Sequence, residues 1–459
     1  MSWETVIGLE VHAELSTKSK IFCACSTVFG DEPNIHVCPV CSGMPGSLPR
    51  LNRAVLDYAI RLGLALNCSI TKISKFDRKN YFYPDLPKAY QISQLYAPIC
   101  YDGYMALDDK TFRIKEIHME EDAGKLIHTS AGTQMDFNRC GVPLLEIVSE
   151  PDFRSSDELI AYLERLREML IYLDICDGKM QEGSMRVDVN LSMRQAGEEM
   201  GTRTETKNLN SFKAIERAVK YEIARQKELL EEGRKITQET RRWDDDRGVS
   251  YAMRSKEDAN DYRYFPEPDL LPLVIDDAWL EAIRNSLPEL AHQKRARYIK
   301  DFGITEQDAL ILSTHIDTST LFESLAEESG EALEAAHLII HQTKQIADTK
   351  KLAKLIKLVT KGKISRNAYK EAVHAVVTQD VEPEQYISEK GLLMDNNEDA
   401  IKEAVNNVLA DNQNALADYK AGKVKAFAFL MGQTMKKLGG SGNPELTKKI
   451  LKEALEDAD

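Results

Sequence analysis

The run of three acidic side chains Glu120, Glu121 and Asp122 is the stretch of this chain that points most directly to chemistry. His118 precedes the run, and a Gly-Lys pair follows it. Neighbouring like charges are unfavourable unless water or a cation neutralises them, and carboxylates beside nucleotide phosphates are common Mg²⁺ ligands. Taken alone, the run is more typical of a solvated acidic turn. Its interpretation therefore depends on which other segments can meet it.

Two segments whose apolar residues recur with a period of two predict strands with polar side chains on one face. Thr5 to Leu15 places Glu10 and His12 on the same face, about 6.5–7 Å apart along the backbone. Val142 to Glu150 places Glu146 between apolar neighbours. That position is unusual, because burying an unpaired carboxylate is costly. Both strands are therefore candidates to carry ligands of a cation.

A third alternating segment, Met185 to Arg194, carries Arg186 and Asp188 on its polar face. Because neighbouring strands of a sheet bring distant residues together, the three strands and the acidic run could assemble one cation site. We expect the acidic run to form a turn that completes this set. Each strand alone is more typical of a half-buried strand with a solvated polar face. The hypothesis therefore depends on all of them occurring together.

The eight cysteines divide into one cluster and four single residues. Residues 21–41 contain two close pairs of thiols joined by a short loop, which matches the spacing of a zinc knuckle. The zinc is predicted to be structural, since four protein ligands leave no open coordination position. The alternative is four free thiols, and the single cysteines are typical of reduced thiols in the cytoplasm. The predicted zinc ligands are Cys23, Cys25, Cys38 and Cys41.

An aromatic and basic segment, Lys75 to Gln94, contains prolines, which favours extended structure with a turn at Pro84-Asp85. This segment fits contact with a substrate or a nucleic acid, and it fits a strand at the edge of the core equally well. Helices are predicted for Leu48 to Leu66, for Ser156 to Leu173, and after an N-cap at Ser211.

The 459 residues carry a net charge of −14 and are 43% hydrophobic. The length predicts about two to four domains, and the charge excludes a uniformly basic nucleic-acid-binding protein. From about residue 290 the pattern is almost wholly helical, with clusters of lysine. Such a module fits binding of a phosphate backbone, although most charge runs are solvated helix faces. The candidate lysines in the tail are Lys423, Lys425, Lys436 and Lys437.

No phosphate-binding loop is present, because Ala123-Gly124-Lys125-Leu126 lacks the loop glycine and the hydroxyl that follows the lysine. No dinucleotide-binding fingerprint follows a predicted strand, and no glutaminase cysteine triad is evident. A bound nucleotide would therefore depend on a metal ion and carboxylates. The first residues predict neither a signal peptide nor a transit peptide. No run reaches the ~18 apolar residues of a membrane helix.

Several long motifs resemble the GatB family, the B subunits of bacterial aspartyl/glutamyl-tRNA amidotransferases. The similarity covers essentially the whole chain, including the helix around Gly432-Gln433. No synthetase-like insertion is visible, so the chain does not resemble the archaeal relatives of the GatE type. The motifs that carry the resemblance are Gly8-Leu9-Glu10-Val11-His12, Lys75 to Gln94, His118 to Lys125, Leu144 to Asp152, Lys207 to Phe212 and Asp261 to Asp269.

The resemblance implies an α+β fold with an antiparallel-sheet cradle domain similar to the catalytic domain of glutamine synthetase. The cradle would span residues 1–292 and include the zinc knuckle at 21–41. An all-α helical domain at 293–397 and a YqeY-like tail at 398–459 would follow and hold tRNA.

The resemblance also implies a reaction, that of a carbon–nitrogen ligase with glutamine as the amide donor. ATP would phosphorylate the side-chain carboxylate of Glu or Asp carried by tRNA(Gln) or tRNA(Asn). Ammonia would then displace phosphate, giving Gln-tRNA(Gln) or Asn-tRNA(Asn). The ammonia would come from a separate amidase, the GatA protein, and a small third protein, GatC, would complete a heterotrimer. The implied cofactors are ATP, Mg²⁺ and structural Zn²⁺.

By the same resemblance, the acidic segments would supply the metal ligands, and basic side chains would contact phosphate or ammonia. Glu121 would be catalytic, and Glu120 and Arg186 would contact the nucleotide, with Arg186 meeting phosphate oxygens. Lys79 and Lys88 resemble positions where the ammonia path reaches the cradle. The implied metal ligands are first His12, Glu121 and Glu146, and then Glu10, Glu120 and Asp188.

Two other functions fit the residues less fully. One is a tRNA-binding scaffold whose partner performs all the chemistry, which the basic helical region supports. The other is a ligase that acts on a free small molecule and turns over without tRNA, which the same helical region argues against.

Overall fold

The computed structural model describes residues 3–255, 262–342, 348–394, 397–420, 423–438 and 442–456. The chain divides into two compact units, Met1–Glu289 and Leu290–Asp459. Asp261, the first residue of the last motif named above, lies outside the described residues. The first unit mixes strands and helices, and the described part of the second unit has helices as its regular elements.

The strands and helices of the first unit alternate irregularly along the chain. Its strands are β1 (Trp3–Glu14), β2 (Ser69–Ile70), β3 (Ile73–Ser74), β4 (Asp77–Asn80), β5 (Tyr90–Ser93), β6 (Cys100–Leu107), β7 (Lys110–Glu121), β8 (Lys125–Thr129), β9 (Gly132–Asp136), β10 (Pro143–Ser149), β11 (Met185–Gln195), β12 (Thr204–Lys207), β13 (Glu239–Asp244), β14 (Val249–Ser255), β15 (Phe265–Pro266) and β16 (Leu273–Val274). Its helices are α1 (Arg53–Ala65), α2 (Ser156–Tyr172), α3 (Phe212–Glu231) and α4 (Asp277–Ser286).

A nine-stranded mixed sheet forms the centre of this unit, in the order β14-β13-β12-β11-β1-β10-β7-β6-β2. Strands β12 and β13 run parallel, and the other neighbouring strands of this sheet run antiparallel. The strands that carry most of the candidate residues, β7, β10, β1 and β11, are adjacent at its centre. Strands β15, β4 and β5 form a separate three-stranded sheet in that order.

The three segments with alternating apolar residues are confirmed as strands β1, β10 and β11. Apolar side chains of β1, among them Ile7, Leu9 and Val11, are buried. Helices α1, α2 and α3 pack against strands of the same sheet. Because successive side chains point to opposite faces, Glu10 and His12 lie on the other, polar face.

The expectation that the acidic run forms a turn was wrong. Strand β7 continues through Glu121, and Glu120, Glu121 and Asp122 are all buried. The register of β7 against β10 shifts between Val148 and Ser149, which marks a β-bulge. A bulge inserts one extra residue and therefore interrupts the period of two. Because of that interruption, the alternation of apolar and polar residues did not predict strand β7.

Helices α2 and α3 are confirmed, and their caps explain where they begin. The side chain of Ser155 accepts a hydrogen bond from Glu158 N, and that of Ser211 accepts one from Ala214 N. Helix α1 begins later than the predicted Leu48, because the Asn52 side chain caps it.

The predicted change to helical structure near residue 290 is confirmed. Separate apolar cores surround Phe322 and Leu430. Across the described residues, the helices are all too short or too polar to cross a membrane. The helices of the second unit are α5 (Ala291–Phe302), α6 (Glu306–Ser313), α7 (Ile316–Ser329), α8 (Ala332–His341), α9 (Thr349–Thr360), α10 (Arg366–Gln379), α11 (Pro383–Glu389), α12 (Glu398–Asp411), α13 (Gln413–Lys420), α14 (Val424–Lys437) and α15 (Pro444–Glu456).

Candidate functional site

A row of four side chains crosses the polar face of the central sheet. His118 of β7 lies opposite Glu146 of β10. Glu146 lies opposite His12 of β1, and His12 lies opposite Arg186 of β11. Directly opposed residues of neighbouring strands point to the same face of a sheet. The strand register therefore gathers side chains that are far apart in the sequence.

The first cluster consists of His12, Glu120 and Glu146, whose ligand atoms lie within 4.8 Å of one another. His12 Nε2 lies 3.4 Å from Glu120 Oε1 and 3.4 Å from Glu146 Oε2. Ligands at right angles around an ion with ~2.1 Å bonds are ~3.0 Å apart. The three atoms therefore fit one divalent cation after a small closing movement. His118 Nε2 lies 2.7 Å from Glu146 Oε2 and orients that carboxylate.

The protonation states within the first cluster depend on one another. Burial lowers the pKa of His12, but Glu146 and Glu120 raise it more, and the pKa lies well above its usual value. Burial raises the pKa of Glu146, but the lowering effect of His118 and His12 is larger, so the pKa lies well below its usual value. Protonated histidine thus neutralises the carboxylates, and a cation that binds His12 would displace its proton.

A second cluster consists of Glu10, Asp188 and Glu205, whose ligand atoms also lie within 4.8 Å of one another. Glu10 lies opposite Asp188 in the register of β1 and β11, and Glu205 comes from β12. Lys207 Nζ lies 2.5 Å from Asp188 Oδ2 and 3.1 Å from Glu205 Oε1. Burial, followed by Glu146, Glu205 and Asp188, raises the pKa of Glu10. An all-oxygen set suits Mg²⁺ better than a set that includes imidazole.

The sequence prediction missed Glu205. Strand β12 is only four residues long, Thr204–Lys207, and the sequence there reads as the approach to helix α3. The available signal was the alternation of Thr204 and Thr206 with Glu205 and Lys207. So short a pattern predicts a strand weakly.

The Glu121 side chain faces the opposite side of β7 from Glu120. Its Oε1 accepts hydrogen bonds from Lys88 Nζ and, at 2.9 Å, from Ile92 N. Burial lowers the pKa of Lys88, but Glu121 raises it more. Glu121 lies outside both carboxylate clusters. Its role as a metal ligand therefore stays a prediction, and Glu120 occupies the position beside His12.

Lys79 of β4 lies within electrostatic range of Glu120 and Glu146 of the first cluster. Its Nζ lies 4.9 Å from the centroid of the Tyr262 ring. Burial lowers its pKa, but Tyr264, Glu120 and Glu146 together raise it above its usual value. A charged ammonium is thus held against aromatic rings and close to the carboxylates, where it can neutralise an anionic ligand.

Arg186 is held by a paired interaction with Asp122. Arg186 Nη1 donates to Asp122 Oδ1 at 3.2 Å and Nη2 donates to Oδ2 at 2.9 Å, while Arg139 Nε lies 3.4 Å from Oδ2. Burial raises the pKa of Asp122, but the lowering effect of Arg186 and Arg139 is larger, so the pKa lies below its usual value. Burial and Asp122 raise the pKa of Glu14 to about 8. The buried Arg186 Nε has no hydrogen-bond partner among the described residues.

The four clustered cysteines fit a zinc ion. Their Sγ atoms lie within 4.8 Å of one another, and those of Cys38 and Cys41 are 3.9 Å apart. Tetrahedral zinc with ~2.3 Å bonds to sulfur places neighbouring sulfurs ~3.8 Å apart. The backbone N–H of Cys38 also donates to Cys41 Sγ at 3.2 Å. The set is completed by Cys23 and Cys25.

A cavity of about 240 Å³ connects the cysteine cluster with Glu121. Its lining includes Cys41, Lys88 and Gly43. A Cβ on Gly43 would stand only 2.4 Å from Lys88 Cγ, and Gly43 has a φ of +68°. The loop that holds the cysteines therefore packs directly against Lys88.

The tail lysines lie exposed at the two ends of helix α14. Lys423 Nζ lies 2.8 Å from Asp418, and Lys437 Nζ lies 3.2 Å from Asp411. Lys425 and Lys436 are also exposed. Their role in binding tRNA stays a prediction.

Comparison with known proteins identifies the family of this chain. A family profile described as the GatB/GatE catalytic domain matches residues 5–281, and a second, described as a GatB domain, matches residues 317–455. The chain belongs to the GatB family. The resemblance stated from the sequence motifs is thereby confirmed, and so is the prediction that the chain is one component of an amidotransferase.

The similarity extends over the full length of curated relatives, each named as the B subunit of an aspartyl/glutamyl-tRNA(Asn/Gln) amidotransferase. The relative from Lachnoclostridium phytofermentans is 53% identical, with 99% of each chain covered. Those from Caldicellulosiruptor bescii and Thermoanaerobacter pseudethanolicus are each 51% identical, with 99% of this chain and 100% of the relative covered. The polar sheet face of this GatB-family chain lies wholly within the region that the catalytic-domain profile matches.

Proposed function

We propose that this chain carries the catalytic centre of a tRNA-dependent amidotransferase on the polar face of its central sheet. The substrate is glutamate or aspartate attached to tRNA(Gln) or tRNA(Asn), which is the substrate class in the names of the curated relatives. The observation that carries the proposal is the placement of two clusters of possible cation ligands and one arginine on strands of the central sheet, with Lys79 of β4 held beside aromatic rings.

The reaction has two steps. An oxygen of the substrate side-chain carboxylate attacks the γ-phosphorus of ATP, and ADP leaves. Ammonia then attacks the acyl carbon and loses a proton, and inorganic phosphate leaves with the former carboxylate oxygen, so that an amide remains. Most of the catalysis in such a phosphoryl transfer comes from positioning and charge neutralisation.

Two sets of residues hold divalent cations in this proposal, and Mg²⁺ is the expected ion. One set is His12, Glu120 and Glu146, and the other is Glu10, Asp188 and Glu205. Bound cations neutralise phosphate charge. The fit of the donor atoms supports both sets, and the histidine makes the first set the less typical of Mg²⁺.

The basic side chains beside these clusters bind and orient the substrates. Arg186 turns part of its guanidinium from Asp122 to the nucleotide phosphates. Lys79, held beside Tyr262, neutralises the transferred phosphoryl group or the carboxylate that receives it. Lys88 and Glu121 lie where ammonia reaches the site, and they orient it rather than bind a cation.

The remaining assignments place the site in a larger enzyme. Residues 1–292 form a cradle with the catalytic fold of glutamine synthetase, residues 293–397 a helical domain, and residues 398–459 a YqeY-like tail that binds tRNA through its lysines. The GatA amidase supplies ammonia, the small GatC protein joins the pair, and the complex works in the cytoplasm. The cysteine knuckle holds structural Zn²⁺, which the separation of the Sγ atoms supports.

The first experiment uses the chain co-purified with its amidase and its small third partner. It supplies Glu-tRNA(Gln), Mg-ATP and ammonium chloride in place of glutamine, because free ammonium bypasses the glutaminase, and it follows Gln-tRNA(Gln). We expect product only with ATP, and loss of product in Glu146→Gln. Glu116→Gln is the matched control, since Glu116 lies on β7 outside both clusters.

Two outcomes would overturn the proposal. If Glu146→Gln keeps full activity, the sheet face is not the catalytic centre. If the wild-type complex amidates neither Glu-tRNA(Gln) nor Asp-tRNA(Asn) while tRNA still binds, the proposed substrate class is wrong.

A further inference from the structure

Lys20 is a fully buried lysine beside the cysteine cluster. Its relative exposure is 0%. Its Nζ donates to the carbonyl oxygens of His36 at 2.6 Å and Phe137 at 3.2 Å, and it lies 3.6 Å from Cys41 Sγ. Among the described residues, its ammonium contacts no carboxylate. Lys20 thus lacks the acidic partner that a buried lysine ordinarily has.

The absence of a carboxylate requires another source of negative charge, because an uncompensated buried ammonium is strongly destabilising. Two carbonyl dipoles solvate the ammonium but carry no net charge. The nearest group that can become an anion is Cys41. Four cysteine thiolates around one Zn²⁺ carry a net charge of −2, and the cost of burying that charge falls when a cation donates to one of the sulfurs.

The position of Lys20 fits this role in a second way. Its backbone N–H donates to the Cys25 carbonyl oxygen at 2.9 Å, and the next residue, Ile21, donates to Gly141 O at 2.9 Å. Lys20 therefore contacts one residue of each cysteine pair, the backbone of Cys25 through its own backbone and the thiol of Cys41 through its side chain. By contrast, the buried Lys294 of the second unit has an ordinary partner, since its Nζ lies 2.8 Å from both carboxylate oxygens of Glu323.

We propose that Lys20 is the counter-cation of the tetracysteine zinc centre, and that its hydrogen bond to Cys41 retains the metal. This inference rests on the zinc site proposed above. A residue that strengthens zinc binding must, by thermodynamic linkage, stabilise the zinc-loaded protein more than the metal-free one.

The test compares the full-length chain, in its complex, with Lys20→Met and with Lys294→Met as the matched buried-lysine control. Zinc content is measured first, and then the rate at which a chromogenic chelator removes zinc. We expect Lys20→Met to weaken zinc retention by about 10–100-fold, the range for removing a partner of a metal ligand. Lys294→Met should retain zinc like the wild type. If Lys20→Met does not fold, Lys20→Gln takes its place, because it removes the charge and keeps a donor.

The second measurement is the melting temperature of each protein with zinc and after chelation. We expect Lys20→Met to lower the Tm of the zinc-loaded protein more than that of the metal-free protein. Unaltered zinc retention, or an equal loss of Tm in both forms, would overturn the inference, because Lys20 would then only tie loops together through carbonyls. Wild-type protein that binds no zinc would refute the zinc site itself.

Discussion

Glu120 and Glu121 are neighbours in the sequence, yet they belong to two chemically different regions of the molecule. Glu120 lies on the polar face of the sheet, where His12 and Glu146 surround it with ligand atoms. Glu121 lies on the other side of β7, where Lys88 and the Ile92 amide already occupy its carboxylate. One region gathers side chains that could bind a cation, and the other pairs its charges internally and borders the cysteine cavity.

The difference shows that strand alternation outweighs proximity in the sequence. A run of acidic residues reads as a single patch of charge, but a strand divides it between two faces. The resemblance to the GatB family placed Glu121 first among the metal ligands, whereas the geometry brings Glu120 to that position. Substitutions that treat the two residues separately are therefore the most informative.

The largest expected effect separates these two residues. Glu120→Gln should reduce ammonium-driven amidation by about 10²–10³-fold, the scale of losing one electrostatic contact to a transition state. Glu121→Gln should lose clearly less, because its carboxylate contacts Lys88 rather than the cation-binding atoms. Rates are measured with saturating Mg-ATP and ammonium chloride. Equal losses in the two variants, with both folded, would contradict the division between the faces.

An intermediate effect is expected at Gly43, which packs against Lys88. In Gly43→Ala the new Cβ would stand 2.4 Å from Lys88 Cγ and displace it. Misplacement of a positioning group by about 1 Å can cost up to 10²-fold in rate. We expect glutamine-dependent amidation to fall by about tenfold or more, and ammonium-driven amidation to fall less, since Lys88 is assigned to the ammonia path.

Gly46→Ala is the matched control for Gly43→Ala. Gly46 lines the same cavity and has a similar positive φ of +83°, but no heavy atom lies within 4 Å of the position of its Cβ. It therefore carries the backbone strain without the contact. If both variants lose activity equally, the effect comes from strain in the loop and not from Lys88.

The smallest effect concerns stability and comes from Glu14, whose pKa burial and Asp122 raise to about 8. A raised pKa means that the folded state holds a proton that the unfolded state releases. The free energy of unfolding should thus fall as the pH rises from about 5 to about 8, by at most about 1.4 kcal/mol per pH unit.

Glu14→Gln should flatten this dependence, because the amide does not titrate. Denaturant unfolding at pH 5, 6.5 and 8 measures the difference in the free energy of unfolding between wild type and variant. The contribution of the histidines of the first cluster is the same in both proteins and drops out of this difference. An unchanged slope would show that Glu14 is ionised in the folded protein. Amidation activity at neutral pH should change little, since Glu14 lies outside both clusters.

The sequence predicted the parts of the site that lie on long, regular strands. Glu10, His12, Glu146 and Asp188 alternate with buried apolar residues, so their shared face follows from the period of two. The register that aligns them across strands did not follow, because it depends on pairing between distant segments.

Other parts of the molecule had weaker signals or none. The bulge in β7 concealed a strand, and the four residues of β12 were too few to show that Glu205 faces the site. The family resemblance ranked Glu120 only in the second group of expected metal ligands. Lys20 gave no sequence signal at all, since a lysine near cysteines is ordinarily a solvated residue.

The most direct test of the catalytic assignment follows the oxygen atoms of the substrate. Glu-tRNA(Gln) labelled with ¹⁸O in its side-chain carboxylate is incubated with the complex, Mg-ATP and ammonium chloride, and the released phosphate is analysed by mass spectrometry. If the carboxylate is phosphorylated, one ¹⁸O should appear in inorganic phosphate for each Gln-tRNA(Gln) formed, and Glu120→Gln should slow this transfer by the same factor of about 10²–10³ as it slows amidation. Amidation without ¹⁸O in phosphate, or undiminished transfer in Glu120→Gln, would contradict a phosphorylation step at this face of the sheet.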